Sequence, residues 1–242
     1  MTETDANRFS GGEAPTLEGA RDRLLEAAMM HVPFDGWSEA TFRAAIRDAG
    51  IDPAFARAAC PRGALDLAVA FHEAGDRAMV RALHMEELSS LRFRDKVARA
   101  VRLRLEAAED KEAVRRGTTL FALPPYAAEG ARLIWGTADR IWDTLGDSSD
   151  DFNWYSKRAT LAGVYASTVL YWLGDESEGA EATWAFLDRR IGDVMQFEKV
   201  KAQVQDNPVL RRAFAGPVWV LGQVKPPRRD AGLDLPGRLG GR

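Results

Sequence analysis

A chain of 242 residues, 46% hydrophobic and 29% charged, is long enough to bury a substantial core and has the composition of a folded globular protein. Its formal net charge of −3 nominates neither a nucleic acid nor a membrane as partner, and its one cysteine, Cys60, excludes an intramolecular disulfide or a cysteine-built metal site. The charge is unevenly spread. From Gln196 to Arg242 nine Lys or Arg stand against four Asp or Glu, a net of about +5, while the first 195 residues are near −8; such asymmetry marks a basic interaction tail. No apolar run is long enough to span a bilayer. The first fifteen residues carry Glu3, Asp5 and Glu13 without an apolar stretch, so neither a secretory signal nor an Arg- and Ser-rich transit peptide is expected. A reducing bacterial cytoplasm is the simplest expected location.

Residues 1–15 are polar and Gly-rich and read as disordered. From Thr16 the spacing turns helical, with Leu17, Ala20, Leu24, Ala27 and Ala28 at steps of three and four, until Pro33 and Gly36. Ser38 is a good N-cap for a short helix through Asp48, with Gly50 just past its end. Asp52 and Pro53 then read as N-cap and first residue of a third short helix ended by Pro61. Long helices are expected over Gly63–Met85, Arg92–Glu109 and Lys111–Phe121, and, after Pro124 and Pro125, over Tyr126–Leu145, Phe152–Leu173 and Gly179–Phe197. No strand-like alternation is sustained. The expected fold is all-α, with a helix-turn-helix unit at 16–62, a helical domain at 63–197, a basic amphipathic segment at 198–229 and a disordered tail at 230–242.

The span Leu24–Met79 resembles the N-terminal region of TetR-type regulators, whose third helix lies in the major groove. Here that helix, Asp52 to Cys60, carries one Arg, one Asp and small apolar residues. A phosphate-dominated interface needs several cations, and base readout needs donors at the groove edge. Only Arg57 and Arg62 qualify, so no nucleic-acid partner is expected.

Catalytic chemistry is equally scarce. None of His31, His72 and His84 has Glu three residues earlier, so the Glu-x-x-His pairs of a di-iron bundle are absent. No G-x-S-x-G, phosphate loop or G-x-G-x-x-G occurs. Cys60 has no nearby His and reads as a small buried residue. Neither enzyme activity, metal nor cofactor is expected. Aromatic content stands out instead: Trp135, Trp142, Trp154, Tyr155, Tyr165, Tyr171, Trp172 and Trp184 lie close together in sequence. Trp184, Leu187, Ile191 and Val194 read as core. Leu161, Tyr165, Val169 and Trp172 share a helical face that can fill a core or line an apolar pocket, and spacing does not separate the two. Trp154 and Tyr155, adjacent at a first helical turn, point in different directions, so at least one ring is expected at the surface, where such rings anchor interfaces.

Three segments, HVPFDGWSEATFRAA at 31–45, DFNWYSKRATLAGVYASTVLYWLGD at 151–175 and TWAFLDRRIGDVMQF at 183–197, resemble the ninth ubiquinone (coenzyme Q) biosynthesis protein family. The resemblance covers residues 20–197. It implies a TetR-like all-helical homodimer without DNA binding, with an isoprenoid or phospholipid ligand in its second domain. It also implies a non-catalytic role: presenting quinone precursors, from the periphery of the inner membrane, to the di-iron demethoxyubiquinone hydroxylase. Trp154 and Tyr155, with Asp151 beside them, fall on the family's partner-binding patch. Candidate pocket residues are Leu161, Tyr165, Val169, Trp172, Trp135 and Ile141. The family's C-terminal amphipathic helix contacts membrane, but here Pro208 and Pro217 interrupt it. Phe214, Trp219, Arg211 and Arg212 are the candidate membrane contacts, since interfacial segments combine rings with cations; packing against the domain or a dimer mate is the equal alternative for this tail. The rival reading of the whole chain is a TetR-type transcriptional regulator sensing an apolar effector.

Overall fold

The computed structural model describes residues 16–108, 110–147 and 152–206, with side chains described except at 152–153 and 195–206. All regular structure among these residues is helical. Helix α1 (Leu17–Met29) starts where the Thr16 side chain accepts from the Gly19 N–H. The chain does not simply stop at Pro33, as the spacing suggested, but makes one further turn, α2 (Val32–Asp35); proline is tolerated in a first turn, where its missing N–H has no partner to lose. Ser38 caps α3 (Glu39–Ala49) by accepting from the Thr41 N–H, and Gly50 ends it with φ +60°, a conformation costly for other residues. The Asp52 carboxylate accepts from the N–H groups of Ala54 and Phe55 and so starts α4 (Pro53–Ala59). These elements close on a core of small residues, Ala20, Ala28, Ala45, Ala56 and Ala59, around Leu24, Phe42 and Cys60.

Helix α5 (Ala64–Met85) links this unit to the rest. Its first half places Leu67 and Ala68 in the N-terminal core, and its second half places Met79 and Leu83 in a second one. That second core is completed by α6 (Phe93–Glu106), α8 (Ala127–Thr144), α9 (Phe152–Gly174) and α10 (Glu181–Asp206). Helix α7 (Lys111–Ala122) runs across the seam, started by Asp110, whose carboxylate accepts from the N–H groups of Glu112 and Ala113. Between α9 and α10, Asp175 accepts from the N–H and hydroxyl groups of both Ser177 and Thr183, which holds its carboxyl well below the usual range. Trp184, Leu187, Ile191 and Val194 pack into the second core as the spacing predicts. Helix α10 runs beyond the expected Phe197 to Asp206. Residues 1–15 and 207–242 lie outside the described residues, and with them Phe214, Trp219, Arg211 and Arg212.

Candidate functional site

At the seam between the two cores lies a cavity of about 440 Å³. Its wall comes from α5 (Ala68, Phe71), α7 (Val114, Gly117, Phe121), α8 (Gly130, Leu133, Ile134) and α9 (Tyr165, Val169). The wall is predominantly apolar because all these helices turn their small and aliphatic faces to the seam. Thr118, also on the wall, spends its hydroxyl on the Val114 carbonyl of its own helix.

His72, Arg104 and Tyr165 supply a polar end. The Arg104 guanidinium, 5% exposed, donates through Nε to the fully buried Asp76 carboxylate at 2.6 Å and through Nη2 to the His72 carbonyl at 3.0 Å. Arg140 Nη1 reaches the other Asp76 oxygen at 2.7 Å, and the Thr137 hydroxyl donates to Asp76 at 2.9 Å. With its proton so engaged, Thr137 Oγ1 is placed to accept from Nε2 of His72, 2.9 Å away. Burial, followed by the nearby Arg104 charge, lowers the His72 pKa to about 4, so the imidazole is neutral near pH 7. Burial pushes the Tyr165 phenol up, against the opposing effect of Arg104, and keeps it protonated. Gly75 makes the arrangement possible: a Cβ there would lie 2.5 Å from Arg104 Nη1.

Sequence reasoning did not single out Arg104, Asp76 or Thr137, and weighed His72 only as a metal ligand. A signal was present: Ala68, His72, Asp76, Met79 and Leu83 form one stripe of α5, and polar residues on an otherwise apolar stripe need buried partners. Of the expected pocket residues, the structure puts Tyr165 and Val169 on the wall. The other four lie elsewhere. Leu161 and Ile141 are buried in the second core, and Trp172 packs against that core with the Lys111 ammonium 5.2 Å from its ring centre. Trp135 instead meets Trp154 and Tyr155, at 6.1 and 6.3 Å between ring centres.

That aromatic group forms a second feature at the start of α9. Trp154 and Tyr155 meet edge to face at 4.8 Å, and both are half-buried rather than one being fully exposed. Beneath Trp154 the Arg158 guanidinium lies 4.0 Å from the ring centre, itself fully buried. Three carboxylates one helical turn apart on α8 and beyond, Asp139, Asp143 and Asp147, accept from Arg158. A buried cation thus braces a ring. Asp151 lies outside the described residues.

Two N-terminal cations, those that could face DNA, are already engaged. Arg57 pairs with Glu39 at 2.7 Å and stacks on Phe42, 4.6 Å from its centre, while Arg62 pairs with Asp66 and Glu129. Cys60 is buried, and that burial raises its thiol pKa. Among the described residues no group of His, Cys, Asp and Glu is disposed to hold a metal, and no helix is long and apolar enough to cross a membrane.

The COQ9 family model matches residues 127–198, the stretch that contains α8, α9 and most of α10. The chain is 30% identical over 213 residues to ubiquinone biosynthesis protein COQ9, mitochondrial, of Rattus norvegicus, covering 84% of this chain and 67% of that protein. It belongs to the COQ9 family. The Bos taurus protein of the same name is 30% identical over 78% of this chain and 61% of its own length, and a probable Dictyostelium discoideum coq9 is 30% identical over 76% and 62%. The chain thus spans about two thirds of the rat relative and about three fifths of the other two. In fold, the COQ9-family chain is similar to a TetR transcriptional regulator from Nitrosomonas europaea, with a TM-score of 0.59, 16% identity, and coverage of 71% of this chain and 95% of that one. The all-α, TetR-like architecture expected from the sequence is the one observed.

Proposed function

We propose that this chain acts in ubiquinone biosynthesis as a non-catalytic lipid-binding protein. It holds an isoprenoid quinone precursor or phospholipid in the seam cavity and presents it, peripherally at the membrane and as a homodimer, to the demethoxyubiquinone hydroxylase. The observation that carries this reading is the apolar cavity of about 440 Å³, in the range of small-molecule sites, within a member of a family named for ubiquinone biosynthesis. The braced Trp154–Tyr155 pair supports a docking role, since half-buried rings held in one geometry lose little entropy on binding.

Purified protein, extracted with organic solvent and analysed by mass spectrometry, is expected to release prenyl lipids or phospholipids; a lipid-free preparation contradicts the reading. Trp154→Lys with Tyr155→Lys is expected to abolish co-purification of the hydroxylase while the helical content stays that of the unaltered chain, although loss of the Trp154–Arg158 contact lowers the unfolding midpoint. Retained co-purification would remove these rings from the docking surface. The regulator reading has less support: its two candidate DNA-facing arginines are paired with carboxylates of this chain, which cancels much of the phosphate attraction.

A further inference from the structure

We propose that α7 is a strap over the seam cavity, clasped to the end of α9 by Lys111 and Arg115, and that release of this clasp sets how fast the cavity exchanges its ligand. This inference rests on the seam cavity being a ligand site and adds the device that controls access to it.

The two edges of α7 are held by different forces. Toward the N-terminal unit the attachment is packing. Ala113 is fully buried in the first core, Leu120 and Phe121 pack against that core, and Trp37 Nε1 donates to the Ala113 carbonyl at 3.2 Å. Phe121 also sits tightly on α8, since a Cβ at Gly130 would lie 2.7 Å from the Phe121 Cβ. Toward α9 the attachment is two cations reaching backbone oxygens. Lys111 Nζ donates to the Asp175 carbonyl at 2.6 Å, and Arg115 Nη2 donates to the Leu173 carbonyl at 2.8 Å. The last carbonyls of a helix lack partners within it and lie at the negative end of its dipole, so cations settle there. The Lys111 ammonium also lies 5.2 Å from the ring centre of Trp172, which packs against the second core. The clasp thus ties α7 to the second core by charged side chains instead of apolar burial.

That difference gives α7 a hinge and a free edge. The Arg115 side chain is 49% exposed, so water can replace its carbonyl partner at little cost. A segment opens locally where few buried apolar contacts must break. Helices α8 and α9 are fixed by Leu133, Ile141, Leu161 and Tyr165, all buried, whereas among the described residues α7 buries Ala113 alone. Of the three helices, α7 is therefore the one that can swing.

The free edge borders the mouth of the cavity. Four wall residues are also exposed: Ala122 on α7, Ala127 and Ala131 on α8, and Leu170 on α9. The cavity reaches the surface where these three helices surround it, and the spacing of α7 from α9 sets the width of that opening. Lys111 and Arg115 fix that spacing at the end of α9.

The test is stopped-flow fluorescence of 1-aminoanthracene with the full-length protein. At about 30 Å³ per small group, 440 Å³ accommodates this apolar probe of about fifteen non-hydrogen atoms. Lys111→Met with Arg115→Met keeps the apolar stems and removes both donors. It is expected to raise association and dissociation rates together by about tenfold while Kd moves less than about twofold, because a loosened strap speeds traffic both ways. Each single substitution should raise both rates about threefold, and decides the matter if the double variant loses helical content. Arg116→Met, which removes the bond from Arg116 Nη2 to the Pro33 carbonyl on the packed side, should leave both rates unchanged. Faster dissociation alone, with Kd weakened in proportion, would assign the two cations to the bound state and overturn the proposal. Unchanged rates, or an equal effect of Arg116→Met, overturn it too, and in each of these cases probe binding still marks a ligand cavity. No binding of the probe to the unaltered protein overturns the ligand site itself, and this proposal with it.

Discussion

The N-terminal helix-turn-helix unit and the helices beyond the middle of α5 are joined by one continuous helix, yet they bury different things. The N-terminal core is alanine-rich and apolar, with Thr41 its one fully buried polar residue among those described. Its arginines stay at the surface in pairs such as Arg57–Glu39. The second region buries Asp76, Arg104, Thr137 and Arg158. Close packing of small side chains leaves no room for a ligand and satisfies itself locally. Buried ions are rarely the most stabilising way to fill a space, yet this region retains them beside the cavity and beneath the aromatic pair. In the first region the two cations that could face DNA, Arg57 and Arg62, are each paired with a carboxylate of this chain.

The contrast can be broken most severely at Asp76. Asp76→Ala leaves Arg104 charged and enclosed without its partner, and is expected to lower unfolding free energy by about 3–5 kcal/mol in urea denaturation. A loss under 1 kcal/mol would mean that the pair is no more costly to break than a surface bridge.

His72 sharpens the comparison through pH. Its pKa falls from 6.5 in the unfolded chain to about 4 in the folded one. Above pH 6.5 neither state binds the proton and the residue is silent. As pH falls below 6.5 the unfolded chain takes up a proton that the folded chain refuses, so stability declines until about pH 4, by about 3 kcal/mol in all. Carboxylates titrate over part of the same window, so the measure is a difference: His72→Gln should show a flatter stability profile between pH 6.5 and 4. Parallel profiles would place His72 in contact with water.

The smallest effect belongs to the N-terminal surface. Arg57→Ala removes a half-exposed ion pair and a ring contact, with an expected cost under about 1 kcal/mol in the same denaturation assay. A larger loss would show that this unit, too, relies on a charged residue for its stability.

Much of the architecture was legible from local chemistry. Thr16, Ser38, Asp52 and Asp110 start helices because their side chains accept otherwise unpaired first-turn N–H groups, and Gly50 ends one because it tolerates a positive φ. Helical spacing placed Trp184, Leu187, Ile191 and Val194 in a core, and three short segments carried the family resemblance. These signals involve neighbours a few residues apart, which is the range over which a sequence pattern speaks.

What opposes each helical face was decided only by tertiary packing. Leu161, Tyr165, Val169 and Trp172 share one side of α9, but of these four only Tyr165 and Val169 meet the cavity, while Leu161 is buried in the second core and Trp172 packs against it. Trp135 belongs with Trp154 and Tyr155 for the same reason: α8 and α9 run side by side. The polar end of the cavity unites residues from α5, α6, α8 and α9, with Asp76 bonded to partners 28, 61 and 64 residues away. Periodicity marks His72 and Asp76 as polar residues on an apolar stripe; which cation neutralises Asp76, and that a cavity opens beside it, depends on how distant helices pack.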